Sequence, residues 1–360
     1  MALKLVNFMR PEIAIVGAGI LGVMTALACA RKGAAVAIYD TEDIPNKRNL
    51  SFADARMWRH VHQNNPALEA LAASSLEAWL RLQSLSKFEA VRKTQIVRLL
   101  TSAQCEVLGD AYDNSGNTFE ILSADQLSIK KAYDIDITSE QRLFVANDAL
   151  LINGKLIYSY LVDTLKSMSK VSFFPNTKIN VDADISECSI QTAHGKRNYS
   201  GIILLTGRPG KYAFSQREPC TLKKHYQLHI DFNLSEATTN DGLLPLLNFG
   251  DPQTTWAVPS VDRKILSVSA SNLFLTKKIS VDQINEMTDY LIRKIKAEYT
   301  TFDVRVSEYF ELPVSARHTN TYWEIRPDHN VISINACDAS LFKAAPAISE
   351  IISDMIIKAR

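Results

Sequence analysis

A chain of 360 residues is too long for one small core and fits two structural units. Its hydrophobic share of 46%, charged share of 22% and formal net charge of +1 are those of an ordinary globular protein, and no long basic run offers a nucleic-acid surface or a polybasic membrane anchor. The five cysteines, Cys29, Cys105, Cys188, Cys220 and Cys337, are scattered, odd in number and without a C-x-x-C pair, which argues against a disulfide framework and a zinc site and fits reduced thiols in a cytoplasmic protein.

The first element is Ile13-Ala14-Ile15-Val16, a β-branched run that reads as a strand buried on both faces. Gly17-Ala18-Gly19-Ile20-Leu21-Gly22 follows, a G-x-G-x-x-G, and a helical stretch runs on to Arg31-Lys32. Gly33 stands at the helix C-cap, and Ala34 to Tyr39 form a second strand that ends in Asp40. Ile13 to Ala30 has nearly the length of a short membrane span, and Ala28-Cys29-Ala30 resembles a signal-peptidase site. The three glycines give a better account. Gly17 allows the tight turn, Gly19 leaves room for a pyrophosphate, and Gly22 lets helix and sheet pack closely. The helix N-terminus presents N–H groups and positive dipole to the phosphates. Asp40, 23 residues after Gly17, suits the ribose hydroxyls. The motif starts almost at the N-terminus of a long chain, and no plain βαβ unit continues it. Both features favour FAD over NAD.

The next stretch, Asn46 to His60, contains Ser51 and Asp54-Ala55-Arg56-Met57-Trp58-Arg59. It resembles the loop and helix after the second strand in the D-amino-acid oxidase superfamily, most closely the monomeric sarcosine oxidase and glycine oxidase branch, whose pattern there is Asp-x-Arg-x-x-Arg. An amphipathic helix with Leu71, Leu76, Trp79 and Leu82 follows, as in that branch. Further on, Ser172 to Ile179 and Ile202 to Gly207 look like paired strands ending in Thr-Gly that return to the FAD sheet. Val331 to Ala336 reads as a last buried strand. Cys337 to Lys343 then leads into a helix with Pro346 in its first turn and Ile348, Ile351, Ile352, Met355 and Ile356 on one apolar face. The resemblance covers both ends well and the middle poorly.

That resemblance implies an α/β fold: a discontinuous Rossmann-like FAD-binding domain over 1–85, 150–210 and 315–360, and an α+β substrate domain with an antiparallel sheet over 86–149 and 211–314. Alternating runs such as Thr254-Trp256-Val258 and Ile265-Ser267-Ser269 fit that sheet. The implied cofactor contacts are the G-x-G-x-x-G residues, Asp40, Ser51, Arg56, Ile179, Gly207, Ser340, Leu341, Phe342 and Lys343, with Arg56 bracing the FAD loop. The implied activity is hydride transfer from an amino acid or N-substituted amino acid to flavin N5, giving an imine. Arg59 and Lys343 take the place of the cations that grip the substrate carboxylate. Arg317, beside His318, is a second candidate for that grip. Trp256 stands at the position of a family aromatic residue.

Departures matter as well. Thr319 to Arg326 holds no cysteine where relatives bond the flavin covalently, so FAD is expected to be noncovalent. Ser267 falls near the lysine credited with oxygen activation, and Ser271 near a family histidine. The turn Cys337 to Phe342 lacks the family's glycines. Two alternatives therefore stay open: a dehydrogenase acting on a cyclic or biosynthetic amino acid with a non-oxygen acceptor, or an FAD-binding assembly partner whose catalytic residues have decayed. The expected partner is a small amino-acid-like molecule, with neither nucleic acid nor membrane, and a protein electron acceptor or a homo-oligomer is left open. His60, His62, His225 and His229 show no metal-ligand spacing and suit solvated or hydrogen-bonded roles.

Overall fold

The computed structural model describes residues 12–47, 49, 51–62, 65–85, 89–123, 128–180, 185–186, 188–206, 223–236, 243–250, 255–270, 280–311, 323–326, 330–334 and 341–358. The first half of the chain runs β1 (Glu12–Val16), α1 (Ile20–Arg31), β2 (Ala35–Tyr39), β3 (Arg56–Arg59), α2 (Pro66–Leu85), β4 (Val91–Thr101), α3 (Ser102–Ser115), β5 (Phe119–Leu122), β6 (Gln141–Ile152), α4 (Gly154–Lys166) and β7 (Val171–Phe174). A small hairpin sheet of β8 (Ile185–Ser186), β9 (Ser189–Thr192) and β10 (Gly195–Asn198) precedes β11 (Gly201–Leu204). Then come β12 (Lys223–Leu234), β13 (Leu246–Phe249), β14 (Thr255–Pro259), β15 (Ile265–Ala270), α5 (Val281–Arg293), β16 (Tyr299–Glu311), β17 (Trp323–Arg326), β18 (Val331–Ile334) and α6 (Leu341–Lys358).

Two large sheets result. The first has the order β17-β18-β11-β1-β2-β7 and is parallel except at β17. Its strands are apolar on both faces because helices cover one side and the small hairpin sheet the other. β7 and β11 both join this sheet, but they are not paired as the sequence pattern suggested: β1 and β2 lie between them. The nucleotide-binding unit itself fills the centre.

α1 shows why its segment looked like a membrane span. Every residue from Ile20 to Cys29 is buried, with the sheet on one side and α4 and α6 on others. Its polar Thr25 is satisfied by the Leu21 carbonyl at 2.7 Å. A helix packed on all sides carries no polar face. Among the described residues, no helix is long and apolar enough to cross a membrane.

The second sheet has the order β16-β12-β15-β14-β13-β4-β6-β3, with β5 also on β6. It is antiparallel except where β13 meets β4. The alternating runs Trp256-Val258 and Ser267-Ser269 pair there as expected. Leu228, Ile230, Phe232, Leu266, Val268 and Ala257 pack with Met287 and Leu291 of α5. The opposite face carries His229, Asp231, Ser267, Ser269 and Trp256, since directly opposed residues share a face.

Two local expectations change. Arg56–Arg59 is a strand, where the family pattern placed a helix. It pairs antiparallel with Ala149–Ile152 of β6, whose buried backbone needs a partner on that edge. Pro346 lies well inside α6, which already begins at Leu341, and α2 supplies partners to the Lys343 carbonyl and the Ala347 N–H around it.

Candidate active site

The cofactor cradle begins with the turn between β1 and α1. Gly17 has φ of +105°, and a Cβ there would stand 2.3 Å from the Leu205 carbonyl oxygen. At Gly22 a Cβ would stand 1.9 Å from the Gly17 carbonyl oxygen, so helix and turn approach too closely for any side chain. Gly19 differs. The nearest atoms a Cβ there would meet are those of the Asn49 side-chain amide, at 3.3 Å, with no backbone among them, so the space in front of this residue is a cradle rather than packed backbone. Gly19 supplies no side-chain cap to α1. Ser51 acts from the following loop instead, its Oγ accepting from Ile20 N–H at 3.0 Å. The residues present therefore fit a pyrophosphate-bearing cofactor.

The rest of the cradle is locked by polar contacts. Asp40 Oδ2 accepts from Ala18 N–H at 2.7 Å and Oδ1 from Glu42 N–H at 3.0 Å. The expected ribose acceptor thus also fastens the glycine turn. The Tyr158 hydroxyl donates to the Ala18 carbonyl. Ile20 and Leu21 are buried, and Ile179 is partly buried against the cluster under Tyr39 and Phe174.

Next to the cradle, the N-terminus of α6 meets β3. The Phe342 ring stacks on Trp79 at 5.1 Å and carries the Arg56 guanidinium 4.6 Å above its centre. Leu341 and Phe342 are core side chains. Lys343 points its Nζ to within 3.5 Å of His62 Nε2. His62 Nδ1 lies 2.7 Å from the His60 carbonyl, which can only accept, so Nδ1 carries the proton and Nε2 faces Lys343 with its lone pair. Burial, with Lys343 and Arg59 nearby, holds His62 well below the ordinary histidine range, and it stays neutral.

Arg59 completes this group. Burial first, and the like charge of Arg98 second, push its guanidinium down to about 10. The compensating groups are Tyr112 and Asp148. Asp148 is already engaged: Oδ2 accepts from the N–H groups of His60 (3.2 Å) and Val61 (3.0 Å), and Oδ1 from the Tyr112 hydroxyl (2.7 Å). Arg98 donates to the Tyr112 oxygen at 3.1 Å. Among the described residues, the Arg59 side chain makes no hydrogen bond or ion pair, its backbone alone being paired in the sheet. A half-buried guanidinium left in that state is a receptor for an anion.

The polar face of the second sheet approaches from the other side. His229 is buried, with Nε2 2.8 Å from Ser307 Oγ and its ring edge-on to Trp256 at 5.6 Å. Burial, then Arg305 and Arg56, push it down to about 3, which brings this face within electrostatic range of the Arg56–Phe342 stack. Ser267 is buried and lies in register with Asp231 and Val258. Asp231 is paired with Arg305 at 2.5 Å.

Of the residues expected from the sequence, Arg56, Arg59, Lys343, Trp256 and Ser267 come to one region. Arg317, His318, Ser271, Gly207 and Ser340 lie outside the described residues. His62, Arg98, Tyr112, Asp148, Tyr158 and His229 were not foreseen as parts of the site. Two of them left a signal, since Arg98 interrupts the apolar run Ile96-Val97-Arg98-Leu99-Leu100, and Asp148, with Asn147, interrupts the apolar run from Leu143 to Ile152.

Fold and cradle define an FAD-dependent oxidoreductase. Residues 12–355 match the family of FAD dependent oxidoreductases (DAO), and the chain belongs to it. Monomeric sarcosine oxidase of Bacillus sp. (strain B-0618) is 22% identical over 202 residues, 54% of this chain and 51% of that protein, so the match spans about half of that relative. Glycine oxidase from Bacillus cereus ATCC 14579 has the same fold, with a TM-score of 0.70 at 12% identity over 98% of this chain and 96% of its own. L-proline dehydrogenase from P. horikoshii gives 0.73 at 12% identity over 98% and 94%.

Proposed function

We propose that the protein oxidises an amino acid or N-substituted amino acid to the imine, with FAD held noncovalently along the N-terminus of α1. The observation that carries this reading is the half-buried Arg59 guanidinium, without an ion-pair partner among the described residues and grouped with Lys343. The names of the similar proteins, an oxidase of sarcosine, an oxidase of glycine and a dehydrogenase of proline, agree in substrate class.

When bound, FAD supplies the hydride acceptor. The chain's own work is orientation. Arg59 offers a planar fork to a carboxylate, and Lys343 a point charge whose direction His62 fixes. A substrate pinned at its carboxylate keeps few positions for its α-carbon, and that restriction lowers the barrier. Trp256 and the buried face around His229 exclude water above the site. Asp40, with acceptor capacity beyond its two amide bonds, holds the ribose.

The test compares anaerobic flavin reduction by an amino acid and by its descarboxy amine. Arg59→Met or Lys343→Met should weaken the amino acid by about 2–4 kcal/mol, roughly thirty- to a thousand-fold. The descarboxy amine should be poor with the wild type and lose little more in the variants. Equal losses for amine and amino acid would show that both cations serve the fold or the flavin.

A further inference from the structure

β16 forms one edge of the second sheet, and among the described residues its strand partner is β12 alone. It runs for 13 residues, from Tyr299 to Glu311. A long row of backbone N–H and C=O groups therefore faces away from β12 with no described strand to meet it. An edge of that length is normally blunted by charge on both faces. Here one face is apolar. Phe302, Val304 and Val306 lie in register with Phe232, Ile230 and Leu228 of β12 and share their face. The β12 residues are fully buried under α5, whereas Phe302, Val304 and Val306 are 39%, 38% and 42% exposed. The other large hydrophobic side chains left exposed among the described residues, Val107, Ile121 and Val281, are scattered over α3, β5 and α5. Scattered apolar residues are ordinary surface, but a contiguous stripe along a free edge marks an interaction surface.

The other face of the same strand carries one charge of each sign. Asp303 is exposed, and its side chain makes no hydrogen bond or ion pair among the described residues. Arg305 meets Asp231 at 2.5 Å, stays partly open to solvent, and has an Nε without a partner among the described residues.

We infer that β16 pairs antiparallel with β16 of a second copy of this chain, continuing the sheet across a twofold axis. An axis normal to the sheet keeps every residue on its own face, so the register is set by which residue lies on the axis. With Asp303 there, two carboxylates oppose each other, and with Arg305, two guanidiniums. With Phe302 or Val306 there, neither charge meets its opposite. With Val304 on the axis, Asp303 opposes the partner's Arg305, Phe302 opposes the partner's Val306, and the two copies of Val304 meet. One register thus satisfies the apolar stripe, the charges and the free backbone groups together. It also closes the edge, since a twofold pair leaves no further β16 to extend.

Sedimentation velocity of the FAD-loaded protein tests the assembly. The wild type should pass from monomer to dimer between roughly 1 and 100 µM. Val304→Lys, at an exposed position, should stay monomeric over that range with unchanged flavin absorbance. Crosslinking reads the register. After Val304→Cys, mild oxidation should give a covalent dimer, because opposed residues of an antiparallel pair have Cβ atoms about 4.5–5.5 Å apart. The two copies of Thr300 stand roughly 27 Å apart in this register, so Thr300→Cys should crosslink no more than the wild type with its native thiols. A wild type that stays monomeric to about 100 µM overturns the inference, as does a dimer that survives Val304→Lys. So does a Thr300→Cys chain that crosslinks as fast as Val304→Cys, or growth into open-ended assemblies. The wild-type and crosslinking measurements keep the test intact if Val304→Lys folds poorly. No amine substrate enters any arm, so failure of the proposed reaction leaves this result unaffected.

Discussion

The two depressed histidines tie residue chemistry to pH. His229 titrates near 3 in the fold because burial, and then the charges of Arg305 and Arg56, disfavour its cation; unfolded, it titrates near the ordinary 6.5. Between those values the unfolded chain binds more protons than the folded one, so stability is lost as pH falls below about 6.5. One such histidine removes about 2 kcal/mol between pH 7.5 and 5. His62 acts with the same sign. His229→Gln keeps a hydrogen-bonding group for Ser307 and abolishes the titration. Urea midpoints at pH 7.5 and 5 should differ less in this variant than in the wild type. An unchanged difference would mean that His229 reaches solvent and protonates in the folded state. Such residues were hidden in the sequence because their neighbours come from other strands. His229 meets Ser307 across 78 residues, and no local pattern announces that pairing.

At the scale of elements, α2 and α6 show how a proline is accommodated inside a buried helix. Pro346 has no N–H to bond back, and its ring crowds the preceding turn. The Ala347 N–H donates to Ser75 Oγ at 3.1 Å, while the Lys343 carbonyl accepts from Trp79 Nε1 at 2.9 Å. Ser75 itself donates to the Leu71 carbonyl at 2.8 Å, so its buried hydroxyl both donates and accepts. The same pair of contacts anchors the residue that carries the Lys343 ammonium. Ser75→Ala should cost about 1–3 kcal/mol, read as a lower urea midpoint at unchanged slope, because a buried N–H loses its acceptor. Trp79→Phe keeps a ring on Phe342 and deletes the indole donor. It should lower stability and also weaken a carboxylate substrate by a few-fold, with little effect on a descarboxy amine. A loss of stability with no change in that ratio would separate the anchor from Lys343. Period and apolar spacing made both helices legible. The stitching between them was not, since a serine and a tryptophan on an amphipathic face read simply as core.

Across the whole molecule, the nucleotide-binding half could be read from the sequence because its determinants are local: a strand, three glycines, a helix and an acid within one short stretch. Arg56, Arg59 and Lys343 stand out because their stretches resemble the D-amino-acid oxidase superfamily, not by anything in their own spacing. The polar face of the second sheet could not be read, because it is assembled from β12, β14, β15 and β16 by register alone. That face bears on the electron acceptor. Negative charge that develops on dioxygen needs a nearby uncompensated cation in a water-poor site. Here Ser267 is buried and neutral, and the adjacent Arg305 is neutralised by Asp231 at 2.5 Å. Arg59 and Lys343 are committed to the substrate in the reading above. Reoxidation by oxygen should therefore be slow in stopped-flow mixing, and an artificial dye should turn the enzyme over faster. Ser267→Lys adds a second cation beside Asp231, which Arg305 already engages, so a net positive charge remains; it should speed the oxygen reaction by about tenfold or more, worth at least about 1.4 kcal/mol, while leaving the dye rate nearly unchanged. A wild-type oxygen rate equal to its dye rate, or a Ser267→Lys variant no faster with oxygen, would place the controlling charge elsewhere in the site, with Lys343 the next residue to replace.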